Sequence, residues 1–256
     1  MSKAPPRIFD RQLYAQRRAR AANSDGEPIL VREIAEHMAE RLAGFGKRFE
    51  KALDLSSRDE SYRVLKPSAE AWVRTTPYPS CLEYTDEEKL PFPPQSFDLI
   101  VSVLALHAVN DLPGALIQIR RTLRPGGAFL GALFAGSTLA ELRQCLAAVE
   151  TELSGGAHPR VAPFADVRDL GALLQRAGFG GPVADIERTT VRYKDISRLV
   201  ADLRRLGETN SLAARGTMPL TRRFVDAMRD YYVANYAVDG GRLKATFDVA
   251  YLTGWA

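Results

Sequence analysis

The segment Phe97–Val103, F-D-L-I-V-S-V, is a near-continuous apolar run of strand length. A strand that is apolar on both faces needs cover on both, which is the environment of a parallel strand between two helical layers. It is followed by a polar turn, a helical pattern over 112–123 and a Pro125-Gly126-Gly127 stop. The alternation continues in both directions. Strands are expected at 51–55, 71–75 and 81–84 before this run and at 128–134, 183–187 and 246–252 after it, seven in all. Helical patterns cover 137–153, started by Ser137 or Thr138, then 166–177, 195–206 and 220–236. Residues 1–50 read as helix-rich. Asp10 is a candidate N-cap with Leu13 and Tyr14 facing inward, and Asn23, Ser24, Asp25 and Gly26 form a turn cluster. Ile29, Leu30, Ile34, Met38 and Leu42 recur at helical spacing until Gly44 and Gly46. Strand–helix alternation of this kind predicts an α/β fold: a Rossmann-like, doubly wound, mostly parallel seven-stranded sheet with an N-terminal helical segment and a helical cap.

Composition narrows the function. With 256 residues the chain is expected to form one domain over 1–256, with helices in 1–50, a first half in 51–135 and a second half with the cap in 136–256. It is 46% hydrophobic and 26% charged, values of an ordinary globular protein. The net charge of +4 is too small to argue for nucleic acid unless clustered, and Arg17, Arg18 and Arg20 read as a solvated helix face. Cys81 and Cys145 are far apart, neither a zinc spacing nor a disulfide framework, and are expected to be reduced thiols. His37, His107 and His158 are not at ligand spacing, so no metal is expected. The opening Met1-Ser-Lys-Ala-Pro-Pro6 lacks a signal core, and no segment approaches the roughly 20 apolar residues of a membrane span. A cytoplasmic protein without membrane insertion is expected.

Ligands on open α/β sheets sit at the carboxyl ends of the strands. That rule brings 54–60, 75–79, 86–88, 104–111 and 134–137 toward one crevice. His107, after the apolar strand, is suited either to positioning a substrate or acting as a base, or to being a buried, hydrogen-bonded side chain. Asp111 reads as a cap for the next helix. Glu208, Thr209 and Asn210 lie between cap helices, where substrate contacts are common. Glu141, Arg143, Arg160, Tyr251 and Trp255 read mostly as structural. Tyr231, Tyr232 and Tyr236 read as packing against the sheet.

Several of these motifs carry a resemblance. They are Ile8-Phe-Asp-Arg11, Ala52-Leu-Asp-Leu55, Asp86-Glu-Glu-Lys-Leu-Pro-Phe92, Leu106-His-Ala-Val-Asn-Asp-Leu-Pro113, Arg124-Pro-Gly-Gly127, Arg176-Ala-Gly-Phe179, Gly207-Glu-Thr-Asn210 and Thr253-Gly-Trp255. Through them the chain resembles class I S-adenosylmethionine-dependent methyltransferases, and more narrowly the complex I assembly-factor 5 family. The malonyl-carrier-protein methyltransferases of biotin synthesis are more distantly similar. The resemblance implies a methyltransferase sheet with 51–135 as its cofactor half, S-adenosylmethionine as cofactor, and a complex I subunit or other protein as substrate, in a methylation or arginine-hydroxylation role. It places cofactor contacts at Asp54, Ser56, Thr75, Asp86, Glu87 and Leu104, a catalytic role at His107, and substrate contacts at Asn110, Glu208 and Asn210.

Two features depart from that family. Its glycine-rich loop after the first strand is here Asp54-Leu-Ser-Ser-Arg-Asp-Glu60, with side chains where the cofactor needs close backbone approach. Its ribose-binding acid after the second strand is replaced by Arg74-Thr-Thr-Pro77. The expectation is weak or absent cofactor binding. This leaves two alternatives: a non-catalytic pseudo-methyltransferase serving as an assembly factor, and a small-molecule or carrier-protein methyltransferase.

Overall fold

Phe97–Val103 forms strand β4 and takes the interior place its two-sided apolar pattern requires. In the computed structural model, which describes residues 6–24, 26, 28–216 and 220–256, β4 lies between β1 (Phe49–Leu55) and β5 (Leu123–Ala135), parallel to both. Its side chains divide between two cores. Leu99, Val101 and Val103 pack toward one helical layer and Ile100 toward the other. The opening segment 1–5 and Asp25 of the turn cluster lie outside the described residues.

Beyond β1 come β2 (Ala69–Thr76) and β3 (Glu83–Tyr84), and beyond β5 come β8 (Arg242–Trp255) and β6 (Gly180–Tyr193). The order is β3-β2-β1-β4-β5-β8-β6, and the short β7 (Ala237–Val238) pairs along β8. Strands β1 to β5 are parallel, whereas β8 runs antiparallel to its neighbours β5 and β6. Among the described residues the sheet thus has eight strands rather than seven, the extra one being β7.

One core lies under α2 (Ile29–Gly44), α5 (Ala140–Ser154), α7 (Ile196–Leu206) and α8 (Arg222–Tyr236), through Met38, Leu146, Leu203 and Met228. The other lies under α4 (Leu112–Thr122) and α6 (Val167–Arg176), through Leu116, Ile119 and Leu174. Helix α1 (Arg11–Ala22) crosses the carboxyl edge, with Phe9 and Tyr14 packed on Ala108 and Leu212. Asp10 caps α1 by accepting from Leu13 N at 3.1 Å, and Asp111 caps α4 by accepting from Gly114 N at 2.9 Å. Tyr232 is core, its hydroxyl donating to Lys244 O.

Several elements differ from the sequence expectation. Helix α3 (Asp59–Leu65) stands where no helix was expected; Asp59 and Glu60 in its first turn favour the N-terminal dipole. The expected strand at 81–84 shortens to Glu83–Tyr84, leaving Cys81 on an exposed turn. Pro125-Gly126-Gly127 lies inside β5 and does not precede it. Helix α5 starts at Ala140, not at Ser137 or Thr138. Ser137 N donates to Asp248 and the Thr138 hydroxyl shares its proton between Ala135 O and Asp248 O, so both are committed to the turn after β5 that is pinned to β8. Strands β6 and β8 are each 14 residues long, well beyond the segments expected. Arg18, expected on a solvated face, is 2% exposed.

Candidate functional site

The site begins where β1 ends. Asp54 is buried, and the chain then turns at Ser56 with φ 60°, a left-handed conformation that glycine adopts without strain and serine does not. The turn is pinned to the end of β2: Ser56 N donates to Thr75 Oγ1 at 3.2 Å and Ser57 N to Thr75 O at 2.8 Å. The Ser56 hydroxyl donates to Glu87, a fully buried carboxylate that also accepts from Arg11 of α1. The Ser57 hydroxyl donates to Asp54 and accepts from Arg74 Nε at 2.9 Å.

Arg58 then sends its guanidinium across the strand ends. Nη1 donates to Leu206 O at 2.7 Å, and Nη2 to Leu104 O at 3.2 Å and Glu208 Oε1 at 3.1 Å. Arg18 enters from α1 beside it, donating to Tyr14 Oη at 3.0 Å, Ser56 O at 3.2 Å and Leu104 O at 3.5 Å. The two cations therefore share one carbonyl. Gly207, ending α7 at φ 73°, makes room for this, because a Cβ there would meet Arg18 Cδ at 2.9 Å. His107 sits on the turn Leu106–Ala108, its ring against Phe134 and Phe164, with Nε2 2.8 Å from Glu208 Oε2.

The electrostatics follow from burial and crowding. Burial alone would raise Glu208, but His107, Arg58 and Arg18 outweigh it and hold the carboxyl below the usual range. Burial, then the neighbouring Arg18, push Arg58 down to about 10 despite Glu208. Burial raises Asp54 to about 6, against the Ser57 hydroxyl and the charges of Arg74 and Arg18. Above these groups opens a cavity of about 600 Å³ between α1, α3 and the loop after β2, lined in part by Arg18, Ser57, Arg58, Arg74, Thr76 and Tyr78.

S-adenosylmethionine does not fit these residues. In folds of this kind it would cross the ends of β1 and β2, where Ser56, Ser57 and Arg58 now project side chains. Its sulfonium would face two buried guanidiniums. The β2 end offers no carboxylate to a ribose, and the Thr76 hydroxyl is bound to Tyr78 O and Ser80. Glu87 is committed to Ser56 and Arg11. The site presents instead a buried carboxylate–imidazole pair and two backbone carbonyls, an acceptor set suited to a planar cation.

Of the residues singled out from the sequence, Asp54, Ser56, Thr75, Glu87, Leu104, His107 and Glu208 meet around Arg18 and Arg58. Asp86 lies at the rim, 3.2 Å from Arg11. Asn110 Oδ1 instead accepts from Ile8 N and Phe9 N at 2.8 and 2.7 Å, and Asn210 bridges Pro159 O and Leu212 N, so both hold loops. Glu141 binds Thr246, Arg160 binds Glu150, and Trp255 packs on Phe45. His37, His107 and His158 each face a different carboxylate, and among the described residues no group of His, Cys, Asp and Glu could hold a metal. Sequence reasoning missed Arg11, Tyr14 and Arg18. Their spacing of three and four residues puts them on one helical face, the signal that could have found them.

The comparisons with known proteins agree with this architecture. A family described as "Methyltransferase domain" matches residues 69–131. Over 97% of its length the chain is 37% identical to "Arginine-hydroxylase NDUFAF5, mitochondrial" of Rattus norvegicus and of Homo sapiens, covering 77% and 76% of those proteins. It is 32% identical, over 93% of its length and 84% of the relative, to "Malonyl-[acyl-carrier protein] O-methyltransferase" of Halorhodospira halophila. The solved structure of YcgJ from Bacillus subtilis matches with a TM-score of 0.57 at 12% identity, covering 86% of this chain and 98% of that one. At such identity it speaks for the fold alone.

Proposed function

Since the chain belongs to the family of the arginine-hydroxylase NDUFAF5, we propose that it is a protein-directed assembly factor of a respiratory complex I, addressed to an arginine-bearing subunit and working without S-adenosylmethionine. The observation that carries this reading is the position of Arg58. Its guanidinium fills the space after β1 and binds Leu104 O, Leu206 O and Glu208, while Arg18 takes the other side of Leu104 O. A cationic methyl donor would meet there the charges of Arg58 and Arg18 and no free carboxylate. The relationship to malonyl-carrier-protein methyltransferases supports the common fold. Methyl transfer to a carrier protein would require the cofactor whose place Arg58 takes. We place the protein in the cytoplasm, as a partner that does not insert in the membrane; among the described residues no helix is long and apolar enough to cross one.

Two measurements test this. Isothermal titration of the purified chain with S-adenosylmethionine should give no binding tighter than about 1 mM, at least a thousandfold weaker than a micromolar site. Micromolar affinity would overturn the cofactor-free part. Deleting the gene from its host should lower assembled complex I severalfold, with recovery on re-expression; unchanged complex I would overturn the assembly role.

A further inference from the structure

We propose that Glu208, His107 and the carbonyls of Leu104 and Leu206 form a receptor for an arginine side chain of a partner protein, and that Arg58 occupies this receptor in the free chain. The inference rests on the protein-directed reading above and names the group that the site would grip.

The geometry of Arg58 defines the receptor. Only its two terminal nitrogens are engaged: Nη1 by Leu206 O, and Nη2 by Leu104 O and Glu208 Oε1. Its Nε is buried without a hydrogen-bond partner. A side chain held only by its tip is held in a way that another chain's arginine could reproduce, entering head-first with its stem trailing outward. A lysine could not, because one tetrahedral nitrogen cannot reach all three acceptors in the arrangement that a planar fork spans. The receptor is preorganised without Arg58. Leu104 and Leu206 are backbone acceptors at the ends of β4 and α7, and Glu208 is oriented by His107 at 2.8 Å.

Access is also built in. Arg58 lines the cavity of about 600 Å³, whereas Glu208 and His107 are not among its lining residues. The Arg58 side chain, with Arg18 beside it on Leu104 O, therefore stands between the cavity and Glu208. Swinging it outward would join them and return its charge to solvent, away from Arg18. The tethered arginine competes with any incoming one at high effective concentration, so the free chain should bind guanidinium compounds weakly. Removing the Arg58 side chain should reveal the site.

The test uses the full chain, wild type and Arg58→Ala, with methylguanidinium as probe and ethylammonium as control. Arg58→Ala leaves Glu208 without its guanidinium and should lower the melting temperature by roughly 5–10 °C. Methylguanidinium at about 10 mM should recover at least half of that loss and shift wild type by at most about 1 °C; ethylammonium should do neither. If Arg58→Ala does not fold alone, refolding supported by methylguanidinium and not by ethylammonium is the same result. Failure to refold with either probe overturns the proposal. So does an equal response to both cations, or an unchanged methylguanidinium response in Arg58→Ala/Glu208→Gln. By titration, Arg58→Ala should bind acetyl-Gly-Arg-Gly-amide at least tenfold more tightly than its lysine counterpart; equal affinity overturns the assignment to a protein arginine. None of these readouts depends on complex I levels in the deletion host, so the receptor and the assembly role fail separately.

Discussion

At the scale of single residues, Asp54 decides much of the site's pH behaviour. It is 1% exposed, and one carboxylate oxygen has no hydrogen-bond partner. Burial raises it to about 6, and the Ser57 hydroxyl with Arg74 and Arg18 only partly oppose this. In the unfolded chain an aspartate ionises near 3.9. Between those two values the folded state holds the proton more tightly, so stability falls as pH rises from about 4 to about 6. The full shift corresponds to about 3 kcal/mol, an upper figure for a buried group that can relax. Asp54→Asn removes the buried charge and keeps the acceptor for Ser57. It should stabilise the protein by about 1–2 kcal/mol at pH 7 and little at pH 4. Urea denaturation at pH 4, 5, 6 and 7 measures this; a variant whose stability tracks wild type in parallel across that range would sink the argument.

At the scale of elements, legibility in the sequence followed the strength of the local signal. The place of β4 was readable because both faces of one short run are apolar, and the caps at Asp10 and Asp111 were readable because aspartate stands just before a helical pattern. Helix α3 was not, being only seven residues long and polar at its start. The full lengths of β6 and β8 were hidden for another reason. β6 alternates exposed and partly buried residues at the sheet edge, and its carboxylates pair with helix α2, Asp185 with Arg41 and Glu187 with His37. The pairing of β6 with β8 is fixed by backbone register, which composition does not display. A more local tie, across eight to ten residues, holds α5 to the 158–160 segment. Glu150, 1% exposed, accepts from Arg160 Nε at 2.9 Å and Nη2 at 2.8 Å, and from His158 N at 3.1 Å. Arg160 first, then His158, bring its carboxyl down to about 2 against the opposing effect of burial. Here the folded pKa lies below the unfolded one, so this stability is present above about 4.5 and lost as pH falls toward 2. Glu150→Gln should destabilise the protein by about 2 kcal/mol at pH 7, with the difference shrinking below pH 4. Equal stabilities at pH 7 in guanidinium unfolding would contradict it.

At the scale of the whole molecule, the site is closed by a helix that begins about 40 residues before the strand it covers. The rewritten loop Ser56–Arg58 marked the location of the site in the sequence, but not what fills it. Arg18 reaches Ser56 O across 38 residues and Leu104 O across 86, contacts that no local pattern encodes. Helix α1 is thereby the lid of the sheet's carboxyl edge, tied by Arg11 to Glu87 and Ala108 O, by Arg18 to the β1 and β4 ends, and by Phe9 and Tyr14 to a small apolar cluster. A lid held by a few buried polar anchors should open locally while the sheet stays intact. Arg18→Ala removes one anchor and leaves Ser56 O without the donor it has here, a loss of about 1–3 kcal/mol. Since 1.4 kcal/mol is about a factor of ten, amide exchange in α1 should accelerate by about fivefold to a hundredfold while that in β4 is nearly unchanged. Arg20, exposed on the same helix, supplies the control, and Arg20→Ala should leave both elements as they are. Hydrogen-exchange mass spectrometry on the three proteins separates the cases. If Arg18→Ala speeds exchange in β4 as much as in α1, the helix is part of the cooperative core and not a lid. If neither element responds, the buried guanidinium is not what holds the helix down.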